Sequence, residues 1–107
     1  AYGDVKRLEF AIALAGAPRL LLMDEPTAGM APRERHALMD LVSGTVAEGG
    51  ISVLFTEHDM DVVFGHADRI MVLDRGRLIA DGAPDAVRAD AKVQSVYLGA
   101  GAETGHA

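Results

Sequence analysis

An unbroken apolar run, residues 20–23, leads directly into two adjacent carboxylates, Asp24 and Glu25, and Pro26 follows them. A short apolar run that ends at turn signals is typical of a strand buried on both faces of a parallel sheet. Because proline cannot donate to a sheet ladder and favours an extended residue before it, we expect an extended Glu25 and the end of the strand here. Both carboxylates should then lie where open α/β sheets bind their ligands.

Strand and helix patterns alternate along the rest of the chain. Before the apolar run, hydrophobic residues recur at helical spacing: Val5, Leu8, Ile12 and Ala15. After it, Pro32 suits the first position of the next helix. The patterns predict strands at 20–24, 51–56 and 69–74, a hairpin partner at 77–81, helices at 5–16, 60–67 and 85–90, a helix from 32 to the glycines at 49 and 50, and an amphipathic segment at 93–98. This order predicts an α/β fold with a mostly parallel sheet, a C-terminal β-hairpin and C-terminal helices.

The composition argues against several functional classes. The 107 residues carry a formal net charge of −6, which argues against a nucleic-acid partner. The absence of cysteine excludes disulfides and thiolate metal sites, and no apolar run approaches the roughly 18 residues of a membrane helix. The first residues look like the interior of a folded domain rather than its beginning, so we expect a fragment of a longer protein. We expect one domain at 1–98 and a flexible tail at 99–107.

The adjacent carboxylates suit metal-assisted phosphoryl transfer. Neighbouring residues on an extended chain point in opposite directions, so one carboxylate can face a cation while the other faces a different atom. Magnesium is commonly held by one or two carboxylates together with phosphate oxygens and water. This chemistry would place Asp24 on the magnesium side and let Glu25 orient an attacking water. The alternative is a pair of solvated acids at the end of a strand.

His58 follows the second predicted strand and should lie on the same rim as Glu25. At that rim it could donate a hydrogen bond to a phosphate that gains charge, or it could be an ordinary capping or solvated histidine. A metal cluster of His58, Asp59, Asp61 and His66 is a third alternative, but its spacing does not fit the usual ligand patterns.

The first four residues form a turn with a glycine before the first helix; they are Ala1, Tyr2, Gly3 and Asp4. Backbone N–H groups at the beginning of a helix attract anions, and a glycine lets a phosphate approach the backbone closely. The alternative is ordinary capping, in which a single glycine precedes a helix.

Taken together, these motifs resemble the C-terminal half of the ATP-binding subunit of an ABC transporter. The resemblance covers nearly the whole chain and rests on the ordered elements AYGD, LLLMDEPTAG, TEHD and ADRIMVLDRGRLIADG. It implies part of a three-layer sandwich of the P-loop NTPase type, with the P-loop half absent. It also implies that ATP and magnesium are the cofactors.

The resemblance assigns a role to each motif. Asp24 would lie on the magnesium side of the Walker B strand, Glu25 would be the general base, and His58 would be the switch histidine that senses the γ-phosphate. The loop that crosses the dimer interface would consist of Thr27, Ala28, Gly29 and Met30. The signature motif, which contacts the ATP held by a second ATPase subunit in a head-to-tail dimer, would consist of Ala1, Tyr2, Gly3 and Asp4.

Two departures from the common family pattern narrow the resemblance. Ala1 and Tyr2 stand where serine and glycine are usual, and Met30 stands where the interface loop usually ends in aspartate. Both departures, and the phrases TAGM, TEHDMDVVF and VQSVYLG, resemble the ATPases of branched-chain amino acid importers. Importers of urea and short amides look similar, so they remain an alternative for the transported substrate.

The phosphate-binding motif G-x-x-x-x-G-K-[ST] does not occur in the sequence. The resemblance therefore implies an ATPase whose isolated C-terminal portion is inactive. Its partners would be transmembrane permease subunits and, indirectly, a solute-binding protein, at the cytoplasmic face of the membrane. The alternative from another class is a truncated, non-catalytic binding or regulatory module.

Overall fold

The computed structural model describes residues 2–98, so the predictions for Ala1 and for the tail at 99–107 lie outside the described residues. The chain consists of two compact units, and the boundary between them follows His66. The elements of the first unit are α1 (Tyr2–Ala15), β1 (Leu20–Asp24), α2 (Pro32–Ala47), β2 (Ser52–Thr56) and α3 (Met60–His66). The elements of the second unit are β3 (Ile70–Asp74), β4 (Arg77–Gly82), α4 (Pro84–Ala89), α5 (Ala91–Val93) and a π-helical turn (Gln94–Leu98).

The parallel pair β1 and β2 is the sheet of the first unit. Its register runs from Leu20 opposite Ser52 to Asp24 opposite Thr56, so the carboxyl ends of both strands lie side by side. The strand predicted from the apolar run is confirmed, and it ends two residues before Pro26. This register puts the residues that follow β1 and β2 at one rim, as the sequence predicts.

The core of the first unit lies on one face of this sheet. Alternate strand residues turn toward it: Leu21, Met23, Val53 and Phe55. They pack against a buried cluster from the three helices: Phe10, Met39, Val42 and Val62. On the opposite face Leu20, Leu22 and Leu54 are exposed, although strands of a parallel pair usually have both faces covered.

The face of helix α1 that packs into the core is not the face that carries its most regular apolar stripe. Val5, Leu8 and Ile12, which carry the helical periodicity in the sequence, are exposed, whereas Phe10 is buried in the core. Periodicity therefore identified the helix correctly but not the face that has a partner among the described residues.

The second unit is built on an antiparallel hairpin. Arg75 and Gly76, which connect β3 to β4, both have positive φ, 51° and 78°. A two-residue turn with two positive φ values matches the twist of a hairpin, so the predicted hairpin is confirmed. Within the described residues β3 pairs with β4 alone, which limits parallel pairing to β1 and β2. The Tyr97 hydroxyl donates to the Leu73 carbonyl and ties the last turn to β3.

Candidate functional site

Asp24 and Thr56 end the two parallel strands and are joined by a hydrogen bond. The Thr56 hydroxyl lies 2.6 Å from Asp24 Oδ1 and donates to it. The Glu25 backbone N–H lies 3.0 Å from the Thr56 carbonyl and 3.1 Å from its hydroxyl oxygen. Thr56 therefore fixes both the Asp24 carboxylate and the beginning of the turn that follows β1.

The backbone of Glu25 is left-handed rather than extended. Its φ is +44°, so the extended conformation expected before Pro26 is wrong. The reason is the turn that begins here, because the Ala28 N–H reaches back 3.1 Å to the Glu25 carbonyl. Non-glycine residues rarely adopt this conformation, and such backbone is often found at functional sites.

The turn brings Glu25 against His58. Oε1 of Glu25 lies 2.7 Å from Nδ1 of His58, with 48% of the carboxylate side chain and 79% of the imidazole side chain exposed. The sequence predicts that these two residues share a rim, and the structure places them in direct contact. Among the predicted site residues, this contact joins two side chains that can each accept or donate a proton.

The loop that follows Pro26 is anchored by its buried end residues. Thr27 and Met30 are both buried, whereas Ala28 and Gly29 are exposed at the tip. The Met30 N–H closes the loop onto the Thr27 carbonyl at 3.1 Å, and Gly29 has a φ of +78°. The predicted interface loop is thus a tight turn that presents a small, exposed tip.

Two contacts tie this loop to the segment around His58, and sequence reasoning missed both. The Thr27 hydroxyl donates to Oε2 of Glu57 at 2.6 Å. Nε of Arg35 donates to the Met30 carbonyl at 2.7 Å, and the same guanidinium donates to Oδ2 of Asp59. Side-chain pairs so distant in the sequence leave no spacing signal, although the position of Glu57 and Asp59 directly beside His58 was visible.

Asp59 has a second role at the beginning of α3, where Oδ1 accepts from the Val62 N–H at 3.2 Å. Burial of Asp59 by itself raises the pKa of the carboxyl, but the hydrogen bond from Arg35 and the N–H of Val62 outweigh it. The pKa of Asp59 therefore lies below its ordinary value of 3.8.

The predicted signature residues lie at the beginning of α1. Tyr2 packs its ring beside Gly29, and the ammonium of Lys6 lies 5.4 Å from the centre of that ring. Gly3 is buried, and a Cβ atom added to it would lie 2.7 Å from Oε2 of Glu34. A carboxylate of the chain itself therefore lies beside the glycine expected to admit a phosphate, while Asp4 is exposed in the first turn.

The described residues include no group of three or more His, Asp or Glu side chains that could hold a metal ion. The alternative metal cluster is not formed, because Asp59 binds Arg35 and His66 binds elsewhere. Nε2 of His66 lies 3.0 Å from Oδ1 of Asp40. Asp24 is exposed at the rim, and one carboxylate can bind magnesium when phosphates and water supply the other ligands.

A cleft of about 190 Å³ lies between α1 and β1, and Lys6, Glu9 and Asp24 supply its polar lining. Its volume is below the roughly 300–1,000 Å³ that is usual for pockets that bind small molecules. None of the helices in the described part of the chain is long and apolar enough to cross a membrane.

Known proteins match this chain in sequence. Residues 77–103 match the family model of the branched-chain amino acid ATP-binding cassette transporter. The high-affinity branched-chain amino acid transport ATP-binding protein BraF of Pseudomonas aeruginosa is 40% identical over 92% of the chain. The corresponding protein LivG of Escherichia coli K12 is 39% identical over the same share. The chain spans 39% of the length of each of these two relatives.

A solved structure matches the fold. The ADP conformation of MJ1267, an ATP-binding cassette of an ABC transporter, superposes with a TM-score of 0.81 and 35% identity. The match covers 92% of this chain and 40% of that one. In sequence and in fold alike, this chain matches the C-terminal part of the ATP-binding proteins of ABC transporters, the family that its motifs resemble.

Proposed function

We propose that this chain is the catalytic and signature-bearing part of an ATP-binding subunit that powers the import of branched-chain amino acids. The observation that carries the proposal is the contact of 2.7 Å between Nδ1 of His58 and Oε1 of Glu25, beside Asp24 at the rim of the parallel strands. Carboxylates and a histidine at the carboxyl ends of parallel strands are suited to act on a bound phosphate.

Glu25 is the proposed general base. Its carboxylate can orient a water molecule and accept the proton that the water loses as it attacks the γ-phosphate. His58 keeps this carboxylate in place, and because a carboxylate only accepts hydrogen bonds, the contact requires a proton on Nδ1. Nε2 of a neutral His58 is then an acceptor, so His58 donates to a phosphate from Nε2 only when the ring carries two protons.

Asp24 is the proposed magnesium-side carboxylate. The Thr56 hydroxyl holds its Oδ1 atom and so fixes the orientation of the group. Magnesium bound there with ATP would neutralise charge on the phosphates during hydrolysis. Ordering of the Asp24 carboxylate by Thr56 is the contribution that comes from this chain.

The remaining motifs suit a head-to-tail dimer with a second ATPase subunit. In this proposal Ala1, Tyr2, Gly3 and Asp4 contact the ATP held by that subunit. The interface loop, formed by Thr27, Ala28, Gly29 and Met30, crosses between the subunits. Its small exposed tip and its contact with Tyr2 support this assignment.

The proposed assembly lies on the cytoplasmic face of the membrane. Transmembrane permease subunits are its direct partners there, and a solute-binding protein delivers the amino acid. The family match at 77–103 and the relatives BraF and LivG favour branched-chain amino acids over urea or short amides. A second candidate function applies to the isolated chain. Because the sequence contains no P-loop motif, the chain alone would be a module that does not hydrolyse ATP.

A chimera tests the proposed function. The part of Escherichia coli LivG that matches this chain is replaced by the chain, and leucine uptake is measured in cells that lack LivG. We expect uptake and ATP hydrolysis by the purified chimera, with loss of both in Glu25→Gln and retention of ATP binding. Glu48→Gln, which removes an exposed carboxylate at the end of α2, is the control. A folded chimera that binds ATP and hydrolyses none would contradict the proposal.

A further inference from the structure

We propose that Glu57, Arg35 and Asp59 are positioning residues that hold His58 against Glu25 by tying it to the loop of residues 27–30. This inference rests on the proposed function, because His58 and Glu25 are its acid–base pair. The two ties lie on either side of His58 in the sequence. One begins at Glu57 and the other at Asp59, and they reach opposite ends of the loop.

The first tie joins Thr27 to Glu57. Thr27 is 2% exposed, and its hydroxyl donates to Oε2 of Glu57 at 2.6 Å, while its backbone N–H lies 3.4 Å from the same oxygen. A short hydrogen bond to a carboxylate is stronger than one between neutral groups, and burial excludes competing water. The beginning of the loop and the residue before His58 therefore move together.

The second tie runs from Met30 through Arg35 to Asp59. The guanidinium of Arg35 donates to the Met30 carbonyl at 2.7 Å and to Oδ2 of Asp59. Asp59 also accepts from the Val62 N–H, which fixes it to the beginning of α3. The end of the loop and the residue after His58 are thus joined by one planar cation whose donors have a fixed geometry.

His58 depends on its neighbours for its position. Its side chain is largely exposed, so packing contributes little to holding the ring. The side chains of the residues on both sides of it are instead held by the two ties. We therefore expect loss of either tie to shift His58 relative to Glu25.

Histidine-selective NMR on the 107-residue chain tests the inference without nucleotide. The chain is labelled at histidine Cε1, the His58 signal is assigned with His58→Gln, and Glu25→Gln defines the shift caused by loss of the contact. Thr27→Val removes the hydroxyl at constant volume, and Thr27→Ser keeps it. We expect Thr27→Val to reproduce at least half of the shift seen in Glu25→Gln, and Thr27→Ser to restore the signal of the unchanged chain.

A second variant pair keeps the test decisive if Thr27→Val does not fold by circular dichroism. Arg35→Lys breaks the planar bridge, whereas Arg33→Lys changes an exposed arginine on the same helix. If both tie variants fold, the inference is overturned when neither shifts the His58 signal from its position in the Arg33→Lys control. If Thr27→Val is unfolded, the same result for Arg35→Lys alone overturns it. Because no ATP is present, this result is separate from failure of the chimera, which bears on the proposed function alone.

Discussion

Nδ1 of His58 lies 2.7 Å from Oε1 of Glu25, across 33 positions of the chain. The parallel register of β1 and β2 accounts for this contact, because it places the residues after both strands at the same rim. Glu25 itself has a left-handed backbone, with a φ of +44°. An acid–base pair is thus assembled by the rim of a two-stranded sheet.

The first prediction concerns the tautomer of His58. Because the Glu25 carboxylate accepts only, we expect the proton of the neutral ring to reside on Nδ1, whereas free histidine favours Nε2. Long-range ¹H–¹⁵N correlation spectra of the chain distinguish the two forms. Glu25→Gln should reduce the preference for Nδ1, since an amide can either donate or accept. A dominant Nε2 tautomer in the unchanged chain would contradict the contact.

The second prediction concerns ATP turnover by the isolated chain. We expect no appreciable hydrolysis, because the sequence contains no P-loop motif to hold the phosphates of ATP. The measurement is phosphate release by the purified 107-residue chain at saturating ATP and magnesium. Steady turnover that disappears in Glu25→Gln would show this prediction to be wrong.

The third prediction concerns acid stability. The pKa of Asp59 is lower in the folded chain than its ordinary value of 3.8, so the unfolded chain binds more protons in the interval between the two values. The stabilising contribution of Asp59 is therefore fully present above about pH 4 and is lost as the pH falls through its folded-state pKa. Asp59→Asn should lower the free energy of unfolding at pH 6 by about 1–3 kcal/mol and weaken its dependence on pH below about 4.

Urea unfolding of the chain and of Asp59→Asn at pH 6 and pH 3 provides the measurement. Asp68→Asn, which removes an exposed carboxylate, is the control and should retain the pH dependence of the unchanged chain. Identical pH dependence in Asp59→Asn and the unchanged chain would remove the role assigned to the ion pair with Arg35.

The fourth prediction compares two leucines on α2. Leu38 is 1% exposed and Leu41 is 45% exposed. Leu38→Ala should destabilise the chain by about 2–5 kcal/mol through lost burial and the cavity that remains. Leu41→Ala should change stability by no more than about 0.5 kcal/mol. Thermal or urea unfolding of both variants decides, and equal losses would mean that α2 packs through another face.

The fifth prediction concerns the uncovered face of the parallel pair. Leu22 is 68% exposed there and lies beside the exposed Leu20 and Leu54, so we expect the chain to self-associate as its concentration rises. Leu22→Lys should weaken association by about tenfold or more, because burial of a leucine contributes about 1.5–3 kcal/mol. Sedimentation velocity measures the change.

Ala47→Lys adds the same charge at an exposed position on α2 and should leave self-association nearly unchanged. If the chain stays monomeric at all concentrations, the exposed leucines are not a site of association. The histidine NMR experiments are accordingly performed at concentrations where sedimentation detects monomer alone.

Much of the fold follows from local sequence patterns. The apolar run at β1, the proline at the beginning of α2, and the turn at Arg75 each determine an element through neighbouring residues alone. The shared rim of Glu25 and His58 follows as well, since parallel strands place their carboxyl ends together. These features depend on short-range chemistry and on a general rule for sheets.

The features that escaped prediction depend on tertiary contacts. The left-handed φ of Glu25 reflects hydrogen bonds from Ala28 and to Thr56, which outweigh the local preference that Pro26 imposes. The buried face of α1 was decided by Phe10 and its neighbours in the core, although the regular stripe lies elsewhere. Periodicity reports where apolar residues lie, but only tertiary packing reveals which of them have partners.

The positive φ of Glu25 sets two requirements of this position against each other. A left-handed backbone costs roughly 1–2 kcal/mol. The short side chains of asparagine and aspartate can offset this cost with local hydrogen bonds, whereas the longer side chain of glutamate does not. Asparagine would relax this strain, yet it would withdraw the carboxylate from His58. At this position, conformational stability and the contact with His58 make opposite demands on the sequence, and glutamate keeps the contact at the expense of stability.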